Sequence, residues 1–303
     1  MSKSIIVVLI DCIIPIWCYM KYLDKKLIET LDSYSFDEDI VKWVTRLEDE
    51  FDVNDLLALS DAVCQEGACK ELAFAVLPFM LRLSEDVSEE NKLHLFVESA
   101  MIYAYIYEIE DKIPDNLMCC LKETVSKYRN KILEYYLANS FELTDEYYLV
   151  AAIMTFYNQK WGASILYGNL FPYESEIELD CCCPNLHDIV LYVNDDGICC
   201  LGEQPATNRS ASNVMELSPK EDKSNIQELL DVINKVLADK GLHTLKQFEE
   251  ISESEAGVVF IVMGTMLMYA GYNEQAKRYY YMLNSIECPV CHQKFIPAEQ
   301  WGR

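Results

Sequence analysis

Apolar residues that recur every three or four positions are the feature that most constrains the fold of this chain. In the segment 37–51, acidic residues come first and an apolar stripe follows, formed by Ile40, Trp43, Val44, Leu47 and Phe51. The same spacing recurs over residues 55–63, 69–83, 89–104, 115–139 and 144–157. The 303 residues include only 10 glycines and 9 prolines, so few positions would interrupt helices. The first half therefore predicts five or six consecutive helices.

Short polar segments separate these predicted helices and supply their boundaries. We expect N-caps at Ser35, Asn54, Ser88 and Thr144, each with acidic residues nearby in the first turn. Gly67 is expected to break the second helix, and Pro78 to kink the third. Helical hairpins joined in this way stack into an α-solenoid, because each pair leaves an apolar face that only the next pair covers. An irregular helical bundle is the alternative, since the sequence shows no strict repeat.

One helical hairpin carries a resemblance to a known repeat family. The stretch AFAVLPFMLRL at residues 73–83 is followed by the acidic turn SEDVSEEN and a further long helix. This arrangement resembles a HEAT-like repeat, and the resemblance covers roughly the first half of the chain. It implies a helical face that binds another protein.

The second half opens with a different pattern. Two β-like runs at 176–180 and 189–193, the turn signal at 194–197 and a return run at 198–201 predict a small β-hairpin region. Helices are expected again from 225, with Gly241 ending the first, and over 256–270 and 274–283. The predicted fold is mainly α, with a zinc-ribbon-like insertion. Its regions are 1–170 (HEAT-like helices), 171–202 (hairpin insertion), 203–224 (polar loop) and 225–303 (C-terminal helices).

Two related segments suggest a metal site. Residues 183–187 read CPNLH, here called the first knuckle, and residues 288–292 read CPVCH, here called the second knuckle. Two Cys-x-x-Cys turns from separate segments close a structural zinc site, but Leu186 replaces the second cysteine of the first turn. His187, Cys181 or Cys182 are the candidate replacements. The predicted Zn²⁺ ligands are Cys183, His187, Cys288 and Cys291, and the alternative is a metal-free hairpin with free thiols.

A helical repeat with such a split, degenerate zinc-ribbon-like hairpin is similar to bacterial HEAT-like proteins found beside polymorphic toxin systems. Some of those proteins act as immunity proteins. The resemblance implies that this chain binds and neutralises a toxin.

The net charge limits the classes of molecule that this chain is expected to bind. Asp and Glu number 50 against 25 Lys and Arg, which gives a formal net charge of -25. Such a charge repels nucleic acids and anionic lipids and attracts a basic protein, although it also serves solubility alone. The sequence contains no GxGxxG, P-loop, HExxH or GxSxG signature, so we expect a binding protein and not an enzyme. A metal-dependent hydrolase with an acidic cleft is the alternative.

The N-terminal segment is apolar from Ile5 to Met20, but Asp11 and Pro15 interrupt it. This run is shorter than the roughly 20 residues that span a bilayer, and no small-residue cleavage site follows it. We expect a buried strand or helix here, and a membrane-tethered adaptor is the alternative. The 13 cysteines lack the spacing of a secreted disulfide scaffold, so a reducing, cytoplasmic location is expected.

Overall fold

The computed structural model describes residues 22, 38–65, 68–69, 72–106, 115–166, 176–200, 226–241, 244–245 and 257–300. These residues form a mainly helical structure with a small antiparallel sheet, as the sequence predicts. The chain divides into two compact units, Met1–Tyr128 and Arg129–Arg303. The apolar run at 5–20, the polar loop at 203–224, Ser35 and the predicted helix break at Gly67 lie outside the described residues.

The first unit is built from helices and one very short strand pair. The helices are α1 (Glu38–Asp49), α2 (Val53–Val63), α3 (Ala73–Leu83), α4 (Glu89–Ile106) and α5 (Asp115–Ala138), the last of which contains the boundary between the units. Strands β1 (Cys64–Gln65) and β2 (Ala68–Cys69) pair antiparallel between α2 and α3. The sequence did not predict this strand pair, because strands of two residues show no periodicity. The predicted start of the third helix, at Cys69, is therefore too early, since the helix begins at Ala73.

The apolar centre of the first unit is α3. Ten of its side chains are buried, including Pro78, and only Arg82 is partly exposed. A helix that is apolar on all sides has to be covered on all sides. Helix α4 packs against both α3 and α2, and α1 packs against α2. The helical spacing of apolar residues therefore predicted the positions of α1 to α4 correctly. It did not predict that α3 is buried on more than one face.

Two of the predicted N-caps are wrong. Helix α2 is capped by Asp52, whose side chain accepts hydrogen bonds from the backbone N–H groups of Asn54 (2.8 Å) and Asp55 (3.1 Å). The predicted cap Asn54 is already inside the helix. Thr144 is also inside a helix, which begins at Leu143. The Ser88 prediction places its helix correctly, since α4 begins at Glu89 and the Ser88 carbonyl accepts the N–H of Lys92.

The second unit combines helices with the predicted sheet. Its further helices are α6 (Leu143–Tyr157), α7 (Gln159–Leu166), α8 (Ile226–Asp239), α9 (Gly257–Tyr269), α10 (Asn273–Tyr281) and α11 (Pro297–Gln300). Strands β3 (Glu176–Cys182), β4 (Asp188–Asn194) and β5 (Gly197–Cys200) form an antiparallel sheet, and β6 (Ile286–Glu287) pairs with β7 (Lys294–Phe295). The predicted strands and their turn are confirmed. The predicted break at Gly241 is also confirmed, and both Gly241 and Gly271, which follows the helix Gly257–Tyr269, have positive φ.

Helix α9 is the centre of the second unit. Every residue from Val258 to Tyr269 is buried, and the helix contacts α6, α8, α10 and α11. At Gly264 an added Cβ would lie 2.8 Å from the buried ring of Tyr280, so this glycine allows α10 to approach closely. Helix α10 also contacts β4 and β5, and α11 contacts β3. The helical core therefore holds the sheet that carries the first knuckle.

A nearly buried arginine fastens the sheet to α10. The guanidinium of Arg278 donates hydrogen bonds from Nε (2.9 Å) and Nη2 (2.8 Å) to Asp195 Oδ1 in the β4–β5 turn. The Tyr281 hydroxyl donates to the Asp195 carbonyl oxygen. These contacts fix the far end of the hairpin, away from its knuckle.

None of the helices within the described ranges combines the length and the apolar character needed to cross a membrane.

Candidate metal centre

The first knuckle is a tight hairpin loop between β3 and β4. Cys183 and His187 face each other across it, and the Cys183 N–H donates to the His187 carbonyl (3.1 Å). The Leu186 N–H donates to the Cys183 carbonyl (2.8 Å), and Leu186 has φ 60. A turn followed by a residue in the left-handed region is the usual three-residue hairpin loop, and proline suits its first position. The sequence Pro-Asn-Leu thus closes β3 and β4 with both possible ligands at the loop base.

The second knuckle, between β6 and β7, is one residue longer. Here the Cys288 N–H donates to the Gln293 carbonyl (2.9 Å), and the His292 N–H donates to the Cys288 carbonyl (2.9 Å). His292 takes the left-handed position, with φ 61. The two CP-containing segments are therefore aligned in sequence but not in structure. Because the first loop returns one residue earlier, His187 stands opposite Cys183 at the loop base.

The two knuckles bring the four predicted ligands together. One ligand atom from each of Cys183, His187, Cys288 and Cys291 lies within 4.8 Å of the other three. The sulfurs of Cys183 and Cys291 are 3.8 Å apart. His187 Nδ1 is 3.3 Å from the Cys183 sulfur and 3.9 Å from the Cys288 sulfur. All four residues belong to the second unit.

These separations fit one tetrahedral ion. With metal–sulfur bonds of about 2.3 Å and metal–nitrogen bonds of about 2.0 Å, tetrahedral geometry places two sulfurs about 3.8 Å apart and a sulfur and a nitrogen about 3.5 Å apart. The sulfur–sulfur distance of 3.8 Å equals the first value, and the sulfur–nitrogen distances of 3.3 and 3.9 Å lie on either side of the second. Cys183 and Cys288 are buried, and His187 and Cys291 are half-buried. The cluster is thus a site that could hold a metal ion with three thiolates and one imidazole.

The knuckle backbones stabilise thiolate at two of the cysteines. The pKa of Cys291 is lowered to about 6, first by the backbone N–H of Gln293 and further by the Asn185 side chain. Burial opposes ionisation of Cys183, yet the N–H groups of His187 and Asn185 bring its pKa below the ordinary value. Thiolate is the form that ligates metals, so the loops favour binding.

The surroundings of Cys288 and His187 instead favour the protonated form of each side chain. Burial raises the pKa of the Cys288 thiol, against hydrogen bonds from the N–H groups of Cys291 and Val290. The neighbouring sulfurs of Cys183 and Cys291 raise the pKa of His187. Both shifts describe a metal-free cluster in which thiols and imidazole share protons, and a cation at its centre would displace those protons.

The alternative ligands proposed for the first knuckle lie outside the cluster. The Cys182 thiol donates to Asp188 Oδ1 (3.1 Å), and Cys181 is buried with its sulfur 3.7 Å from the Cys182 carbonyl. His292 contacts Glu287 on the surface. Of the three candidate replacements for the missing cysteine, His187 is the one that lies in the cluster.

Asn185 is a site residue that the sequence did not reveal. Its side-chain amide donates to the Cys291 sulfur at 3.4 Å, from one knuckle to the other. Side chains that hydrogen-bond a ligand atom orient it and tune its charge. The asparagine at the third position of CPNLH was the only available signal.

Comparisons with protein-family models, curated proteins and solved structures found no match to this chain.

Proposed function

We propose that this protein is a non-catalytic, helical protein-binding module whose second unit is held together by a structural zinc ion. The observation that carries the proposal is the cluster of Cys183, His187, Cys288 and Cys291. Four protein ligands complete a tetrahedral shell and leave no position for water or substrate. A site closed in this way stabilises a fold and does not catalyse a reaction.

Zinc is the ion that best suits the donor set. Thiolates favour zinc, copper(I) and iron–sulfur clusters, and the addition of one imidazole to three thiolates is a common structural zinc combination. Two hairpin knuckles from separate segments are also the zinc-ribbon arrangement predicted from the sequence. The ion would join the β3–β4 hairpin to the β6–β7 hairpin.

The proposed partner is a basic protein. The formal net charge of -25 favours and steers such a partner. Within each unit, consecutive helices are in contact, α1 with α2 and α3 with α4 in the first and α6 with α7 and α9 with α10 in the second, which supports helical hairpins as the binding platform. In its sharpest form, the proposal is a cytoplasmic bacterial immunity protein that covers and neutralises a basic toxin.

Metal analysis tests the zinc component. We expect one zinc per chain after purification without chelators, and a tetrahedral thiolate spectrum after exchange with Co²⁺. Cys291→Ser should lose the ion because it removes a ligand, whereas Cys182→Ser should keep it, because the Cys182 thiol bonds to Asp188 instead. Metal-free native protein, or equal metal loss from both variants, would contradict the zinc site.

Binding to the protein encoded by the neighbouring gene tests the partner. The zinc-loaded full chain should retain that protein at low salt and release it as salt screens the charges. Co-expression should restore growth to cells that express the neighbouring protein if it is a toxin. An acidic neighbour, or binding that salt leaves unchanged, would remove the electrostatic argument.

A further inference from the structure

Large apolar side chains that remain in solvent are concentrated at the two knuckles. Within the described part of the chain, three large hydrophobic residues are exposed: Leu186 (83%), Val290 (59%) and Leu57 (43%). Leu186 directly precedes the ligand His187, and Val290 directly precedes the ligand Cys291. Scattered exposed apolar residues are ordinary, but two at the tips of paired loops form a local feature.

Leu186 is an unusual choice for its backbone position. Its φ of 60 lies in the left-handed region, which favours glycine or asparagine and costs other residues roughly 1 kcal/mol. With most of its surface exposed, the side chain gains little from burial. Neither local conformation nor packing against the described residues accounts for leucine at this position.

The cluster of three cysteines and one histidine brings the two tips side by side. Asn185, next to Leu186, contacts the Cys291 sulfur, next to Val290. The ligand atoms below them lie within 4.8 Å of one another. An ion bound by these atoms would fix the loops before any partner arrives, which would reduce the ordering cost of binding.

The surroundings of the tips are acidic. Beside the first tip, β3 and β4 carry the exposed Asp180 and Asp188 and no lysine or arginine, whereas Asp195 and Asp196 lie at the far end of this hairpin. On the second knuckle, the exposed Glu287 lies one residue before Cys288, and it pairs in register with Lys294, the one lysine or arginine of β6 and β7. An apolar centre with a charged border is the usual anatomy of a protein–protein interface.

We propose that Leu186 and Val290, here called the knuckle tips, form the docking surface for a basic protein partner. The tips would enter an apolar depression of that partner, and lysine or arginine around the depression would face the acidic hairpin. This inference rests on the proposed function, and it adds a contact at the knuckles to the helical platform proposed there. The metal site then has a second consequence, because it positions the anchor residues.

A peptide array on the zinc-loaded full chain tests the surface. The probes are equal-length synthetic peptides with a central leucine, phenylalanine or serine, flanked by lysine and arginine, by glutamate or by serine. The protein variants are Leu186→Gly, Val290→Ser and their combination. Leu57→Ser on α2 is the matched control, since it removes an exposed apolar side chain from the other unit. Leu186→Asn is a second variant in case glycine disturbs the loop, because asparagine also tolerates positive φ.

We expect binding only by peptides with an apolar centre and basic flanks, and an affinity at least about 10-fold lower for the double variant than for Leu57→Ser. Basic peptides that bind all variants equally, in a salt-dependent way, would overturn the docking surface and leave the proposed function standing. Absence of binding by every basic peptide would overturn both. A dimer of the chain that the double variant dissociates would assign the tips to a second copy and overturn the basic partner.

Discussion

Removal of the metal should destabilise the second unit by an amount that the chain topology sets. The Cys183 and Cys291 sulfurs, which would share the ion, are 108 residues apart in sequence. A cross-link that closes a loop of about 100 residues stabilises the native state by about 4.7 kcal/mol in the chain-entropy description. For a unit of this size, each kcal/mol moves the melting temperature by about 2–4 °C. The expected loss is therefore about 10–20 °C.

Differential scanning calorimetry of the full chain measures this loss. The native protein is compared with and without a strong chelator, and Cys291→Ser is compared with Cys182→Ser at saturating zinc. Cys291→Ser should melt near the chelated native protein, and Cys182→Ser near the zinc-bound protein, because only Cys291 belongs to the cluster. A shift below about 3 °C on chelation would refute the reasoning, since the two hairpins would then be held together without the ion.

Further substitutions test the packing and the electrostatics. Gly162→Ala should cost about 3 kcal/mol or more in urea unfolding, because its Cβ would lie 2.3 Å from the backbone Cα of Thr155; a cost below about 1 kcal/mol would contradict the close approach of α6 and α7. Asp195→Ala should cost about 2–3 kcal/mol, because it removes the carboxylate from Arg278, whose side chain is only 5% exposed. Burial raises the pKa of Glu98, so the folded chain binds this proton more tightly and stability falls as pH rises above the unfolded value. Glu98→Gln should therefore raise the melting temperature at pH 7 and change it little below about pH 4; an unchanged value at pH 7 would refute this.

The sequence predicted the elements whose pattern is local. The alternation in 176–193 located β3 and β4, and helical spacing located α1 to α6, because periods of 2.0 and 3.6 residues are properties of the chain itself. The four ligands could be named from residue chemistry, since cysteine and histidine beside tight turns have few other uses in that pattern. Binding of a metal there stays a prediction.

The errors arose where three-dimensional geometry decides between similar residues. Asp52 and Asn54 are both good capping residues, and only the backbone angles place Asp52 at the cap. The resemblance between CPNLH and CPVCH suggested equivalent loops, yet the first is shorter by one residue. The burial of two adjacent residues, Tyr279 and Tyr280, likewise has no local sequence signal, because it arises from the position of α10 between α9 and the sheet. Such contacts depend on distant segments and leave no local pattern.

An ion bound by both hairpins would make the stability of the β3–β4 hairpin depend on that of the β6–β7 hairpin. A short hairpin alone is marginally stable, and the β6–β7 pair has only two residues in each strand. Amide hydrogens of β3 and β4 should therefore exchange with solvent at rates governed by Cys288 and Cys291, about a hundred positions away. A substitution that destabilises either hairpin should therefore speed amide hydrogen exchange in the other, because the two hairpins would open and close as one cooperative unit.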